Sequence, residues 1–101
     1  MEQICFELIC YVGDARSSFI QAINCAKKGD YAQSEQLIEN GLASFNRGHA
    51  VHAKLVQAEA EGMTDHLSLL LIHAEDQLMS AETFKILCTE FIALYQKIDS
   101  K

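Results

Sequence analysis

The 101-residue sequence predicts an all-α fold, an antiparallel three-helix bundle. Three observations predict it. Proline is absent and glycine occurs only five times, which disfavours a chain of short strands and tight turns. Apolar residues recur at steps of three and four. Helix-stopping residues cluster at only two places. Half of the residues are apolar, enough for one core, so residues 1–101 read as a single helical domain.

The first helix spans about residues 2–28. Ile4, Leu8, Tyr11/Val12, Ala15, Phe19, Ala22/Ile23 and Ala26 form its apolar row. Gly13 interrupts it at a cost of about 1 kcal/mol relative to alanine, which close helix packing would explain. Lys27-Lys28-Gly29-Asp30 then closes one helix and opens the next. Lysines suit the negative helix end, glycine the left-handed residue after it, and aspartate the N-cap.

The second helix spans about residues 31–61. Ile38, Leu42, Phe45, His49, His52, Val56 and Ala60 share one row, with Gly41, Phe45, Gly48 and His52 beside it. The two glycines read as places where another backbone comes close. Gly62 stops the helix, and Thr64 or Asp65 caps the third. That helix spans about residues 66–98, with Leu71, Ala74, Leu78, Ala81, Cys88, Ile92 and Tyr95 on its core face. Each helix is roughly 40 Å or longer at 1.5 Å per residue. So thin a rod cannot bury half of its residues, and the surplus apolar surface points to self-association.

Eight basic against fourteen acidic residues leave a net charge of -6. An excess of Lys and Arg is what phosphate neutralisation requires, so general nucleic-acid or anionic-membrane binding is disfavoured. Apolar runs such as Leu69–Ile72 fall far short of the roughly 20 residues of a membrane span. The chain opens Met-Glu-Gln, without the basic start of a signal peptide, and reads as cytoplasmic. Cys5, Cys10, Cys25 and Cys88 form no CxxC pair, and read as reduced core or surface thiols. Gly29-Asp30-Tyr31 resembles one tetratricopeptide turn, but no second copy follows at that period.

The chemistry-bearing stretch is His73-Ala74-Glu75-Asp76-Gln77-Leu78-Met79-Ser80. On a helical wheel Asp76 lies about 60° to one side of His73, Gln77 about 40° to the other, and Ser80 and His66 about 20° away. Leu69 and Phe84 share the sector. Glu75 and Glu82 fall on the opposite side, as a solvated edge. An imidazole in a polar group on apolar ground can be a nucleophile toward phosphorus, a general base or a metal ligand. It can equally be a half-buried histidine bonded to a neighbour. His49 and His52 read as packing or surface residues. The sequence has no HExxH, no glycine-rich phosphate loop and no GxSxG elbow.

The same residues resemble a family. His73–Met79 is similar to the H-A-Q-D-[HQ]-L-M segment of the lactose/cellobiose-type enzyme IIA proteins of the bacterial sugar phosphotransferase system. Val12-Gly13-Asp14-Ala15-Arg16-Ser17 resembles their G-[ED]-A-R-S segment, and Ala26–Tyr31 their A-K-x-G-D-[FY] turn. Leu55–Gly62 resembles the end of their second helix. Glu75 departs from the usual glutamine, and Gln77 from the second histidine of some members.

The resemblance implies a homotrimer and a phosphohistidine at His73. The phosphoryl group would come from the carrier HPr and pass to a cysteine of enzyme IIB during uptake of a β-linked disaccharide. The membrane is involved only through the IIC permease, and nucleic acid not at all. Gln77 would support the phosphoryl group by hydrogen bonding; Ser80, Leu69 and Phe84 would contact the group or dock the partner. Asp76 from three subunits would hold a divalent metal, Mg2+, at the trimer axis. Transfer of this kind needs positioning and charge neutralisation more than covalent machinery. A neutral imidazole, with an ordinary pKa near 6.5, suits it. The competing readings are a non-catalytic helical adaptor, in which His73 only packs, and a metal-storage bundle, which would require Glu-x-x-His motifs.

Overall fold

A computed structural model describes residues 2–62 and 68–101. It is an all-α three-helix bundle: α1 (Glu2–Lys27), α2 (Tyr31–Ala60) and α3 (Leu69–Asp99). The molecule is a rod of 57 × 18 × 16 Å. None of the helices is long and apolar enough to cross a membrane.

The α1–α2 turn follows from its residues. Gly29 takes the left-handed conformation at φ 85°. That bend lets Asp30 N–H donate to Cys25 C=O at 2.9 Å and Gly29 N–H to Ala26 C=O at 3.0 Å. The pair of bonds satisfies carbonyls that the helix end leaves free. Asp30 then accepts from Gln33 N–H at 3.1 Å, a cap worth about 1 kcal/mol. Gly62, at φ 71°, also takes the left-handed conformation, and its N–H donates to Glu59 C=O at 3.0 Å at the end of the second helix.

The third helix begins later than the spacing predicts. Ser68, in extended conformation, is its N-cap, and its hydroxyl accepts from Leu71 N–H at 3.0 Å. Thr64 and Asp65, the expected caps, and His66 lie outside the described residues. The apolar run Leu69–Ile72 begins directly after Ser68, and no break in that run marks the serine as the helix start.

The central helix is α1. It packs along both neighbours, whereas α2 and α3 scarcely meet. Leu8, Val12, Phe19, Cys5 and Cys88 are fully buried. Consecutive helices are antiparallel, so α1 and α3 run parallel. The Cys88 thiol donates to Phe19 C=O at 3.4 Å across that seam. Burial pushes the Cys5 and Cys88 thiols up from their ordinary pKa.

Two expectations about glycine change. A Cβ on Gly41 would lie 2.7 Å from Phe19 Cε1, and one on Gly48 2.9 Å from Val12 Cγ1. The glycines therefore admit side chains of α1 rather than another backbone. Gly13 is exposed, with nothing within 4 Å of a Cβ, so packing within the chain does not account for it. The core row of α2 also shifts. Ser34, Gly41, Phe45, Gly48, Val51 and Leu55 are buried, while Leu42, His49 and Val56 face outward. Ser34 is buried at no polar cost because its hydroxyl donates to Ala22 C=O at 2.8 Å.

Candidate functional site

The middle of α3 places the chemistry. Ala74, Leu78 and Ala81 turn inward and are buried, which fixes the rotation of the helix. His73 and Asp76 are consequently exposed, and Gln77, Ser80 and Phe84 half-buried. His73 and Gln77 are one turn apart on one face, about 5–6 Å between Cβ atoms. Leu69, one turn before His73, is 83% exposed. Asp76 lies to the other side of His73, among Ile72 and Met79, both exposed.

The structure adds a residue to which the sequence reading assigned no role. Arg16 of α1 donates from Nη1 to Gln77 Oε1 at 3.5 Å. Its guanidinium carbon sits 5.2 Å from the centre of the Phe84 ring, a cation–π contact. Side chains on a helix lean toward its N-terminus. Because α1 runs parallel to α3, the arginine crosses Phe84 and then reaches Gln77, which is one turn from His73. Phe84 is thus a platform for this cation as well as an apolar edge. Two signals in the sequence pointed to Arg16: it is the only basic residue before Lys27, and it belongs to the G-D-A-R-S segment. Gly13, Arg16, Ser17, Ile20 and Gln21 line an open groove of about 440 Å³ on the same side of α1.

Glu75 is not a plain solvated edge. His52 Nε2 and Glu75 Oε1 are 2.7 Å apart, with side chains 20% and 43% exposed. This pair ties α2 to α3 on the side of α3 away from His73. It gives His52 and Glu75 a structural task and leaves His73 as the exposed imidazole of the α3 stretch. Among the described residues, no three His, Cys, Asp or Glu side chains of one chain converge as a metal site.

Comparison with known proteins meets this geometry. The family model described as the PTS system lactose/cellobiose-specific IIA subunit matches residues 3–96. The chain belongs to this family. It is therefore a phosphotransferase-system component, a phosphocarrier by class. The lichenan-specific phosphotransferase enzyme IIA component of Bacillus subtilis is 39% identical over 98 residues, 97% of this chain and 89% of the relative. The crystal structure of the cellobiose-specific enzyme IIA of Bacillus anthracis superposes with a TM-score of 0.94 at 41% identity. That likeness covers 98% of this chain and 91% of the other. The IIA(chitobiose)–HPr complex of the Escherichia coli phosphotransferase system contains a chain with a TM-score of 0.84 at 33% identity, covering 97% of this chain and 95% of that one. The resemblance seen in the four sequence segments thus extends along nearly the whole IIA fold.

Proposed function

We propose that this IIA subunit accepts a phosphoryl group from phospho-HPr on His73 and hands it to an enzyme IIB cysteine, in the cytoplasm, during uptake of a β-linked disaccharide. One observation carries the reading. His73 is an exposed imidazole on a rigid helix, one turn from an amide that a guanidinium holds. A similar structure, the Escherichia coli chitobiose IIA, was solved bound to HPr, which supports HPr as donor.

The steps follow from the chemistry. A neutral His73 nitrogen attacks phosphorus; its N–P bond forms as the donor's N–P bond breaks, and the donor imidazole leaves. In the second step an S–P bond to the IIB thiolate forms and the His73 N–P bond breaks. Exposure is required, because donor and acceptor proteins must both reach one nitrogen. Gln77 donates to phosphoryl oxygens, Ser80 adds a hydroxyl beside it, and Leu69 supplies an apolar docking edge.

The working unit is a homotrimer. Ile72, Met79, Ile86, Leu87 and Leu94 leave an exposed apolar face along α3, larger than a monomer needs. Asp76 sits within it. A single carboxylate per chain fits a divalent ion such as Mg2+ only if three chains contribute, and oxygen donors suit that ion. The ion would neutralise converging charge at the axis.

The test uses the general phosphotransferase proteins with labelled phosphoenolpyruvate. The wild type should become labelled and then lose the label to a cognate IIB. His73→Ala should stay unlabelled while keeping its helical content. Label retained in His73→Ala would move the site elsewhere, and a wild type that never accepts label would be a non-catalytic adaptor.

A further inference from the structure

We infer that Arg16 is the positioning residue of the phosphoryl site: it holds the Gln77 amide by its oxygen and so presents the amide N–H2 group toward His73. The inference rests on the phosphocarrier reading above and adds to it a residue on a second helix.

A glutamine amide has one acceptor oxygen and a donor nitrogen. Left free, it can offer either end to a neighbour. A phosphoryl group has only acceptor oxygens along its rim, so Gln77 supports it only with nitrogen forward. Arginine has donors and no acceptor. A guanidinium on the rear of Gln77 can bind only the oxygen, and this leaves the nitrogen for the other side. The structure shows that pairing, Arg16 Nη1 to Gln77 Oε1 at 3.5 Å. The bond is long, as such bonds often are before a substrate is present.

Three further observations fit a positioning role. The guanidinium is anchored on the Phe84 ring at 5.2 Å, so its place does not depend on Gln77 alone. It makes no ion pair among the described residues, where His52–Glu75 is the one such pair. With no carboxylate paired to it there, the half-buried guanidinium keeps its donors for the Gln77 oxygen. The groove next to Arg16, edged by Gly13 and Ser17, keeps this flank of α1 open to an approaching donor.

The experiment measures phosphoryl uptake from phospho-HPr over a range of donor concentrations in Arg16→Ala, Arg16→Lys, Gln77→Leu and Arg16→Ala/Gln77→Leu. Arg16→Ala should lower kcat about 10-fold, less than the roughly 100-fold that loss of a direct donor costs, with KM little changed. Arg16→Lys should restore part of the rate, because an ammonium donates to the amide oxygen but lacks the planar fork. In the Gln77→Leu background the Arg16→Ala change should add nothing, since the residue acts through the amide.

A wild-type kcat in Arg16→Ala would overturn the inference. So would losses that multiply in the double variant, or an effect confined to KM, which would make Arg16 a docking residue. An independent arm follows the Gln77 side-chain amide by NMR in the free protein. It should be ordered in the wild type and lose that order in Arg16→Ala; equal order in both would overturn the hold. If the wild type takes no label on His73, the phosphocarrier reading fails instead, and the amide measurement still decides whether Arg16 holds Gln77.

Discussion

Gly41 and Gly48 face α1 where a methyl group has no room, and Gly13 faces open space. Alanine at these positions should therefore act in opposite directions. At Gly41 and Gly48 the new Cβ would press on Phe19 and Val12, both fully buried, and overpacking of this kind costs about 1–3 kcal/mol. At Gly13 the helical backbone and free surroundings should give back up to about 1 kcal/mol of lost propensity. Denaturant titration of the three variants checks this. A destabilising Gly13→Ala would mean that another molecule packs on this turn.

The reversal shows how far residue-level reading reaches. Periodicity identifies a glycine in a helix as unusual, but only the opposing helix says whether the missing side chain was excluded. Glu75 makes the same point. Its wheel position away from His73 was legible, and its pairing with His52 was not, because a partner on another helix leaves no trace in local spacing. Arg16 was visible as an isolated cation in an apolar helix. Its bond to Gln77 became visible only once α1 and α3 were known to lie side by side and parallel.

At the scale of the elements, the α1–α2 turn was legible because each terminus residue has a local job, and the structure shows Gly29 and Asp30 performing it. The start of α3 was not, because Ser68 precedes an unbroken apolar run. The core face of α2 was displaced because its true row contains glycines and Ser34, which an apolar template skips.

The α2–α3 seam has little apolar packing and is bridged instead by spaced polar contacts. His52 meets Glu75, Lys85 Nζ lies 4.7 Å from the centre of the Phe45 ring, and Tyr31 donates to Asp99 Oδ2 at 2.5 Å. Their order is antiparallel, so together they set the register of the two helices. The hydrogen bond to Asp99 pushes the Tyr31 phenol up to about 12. A phenol with a raised folded-state pKa stabilises the fold below its ordinary value near 10, and that contribution is lost as pH rises toward 12. Spectrophotometric titration should show one phenol ionising near 12. Tyr31→Phe should remove that step and Asp99→Asn should lower it. An unchanged titration in Asp99→Asn would show that the bond does not operate in solution.

The whole molecule is a thin rod with an apolar face along α3 and one carboxylate set in that face. Met79, 65% exposed, and Ile72, 53% exposed, mark how much of it solvent reaches in one chain. If three chains bury that face, three Asp76 carboxylates converge, and their repulsion and lost hydration oppose assembly unless a cation sits among them. Asp76→Leu should then leave the trimer intact or strengthen it, and make it indifferent to chelator, whereas the wild type should loosen when chelator is added. Sedimentation separates the two claims. A wild-type monomer at micromolar concentration with metal present contradicts the assembly, and a wild-type trimer that ignores chelator contradicts the metal alone.

The apolar face, the carboxylate and the arginine-held amide all derive their meaning from one nitrogen. The most direct measurement is to phosphorylate the wild-type protein with phosphoenolpyruvate and the general phosphotransferase proteins, digest it at alkaline pH, and locate the acid-labile phosphoryl group by mass spectrometry. The account predicts a single modified peptide, containing His73. A phosphoryl group on the peptide that carries His49 and His52, or an unmodified protein under conditions that label a known IIA subunit, would contradict it.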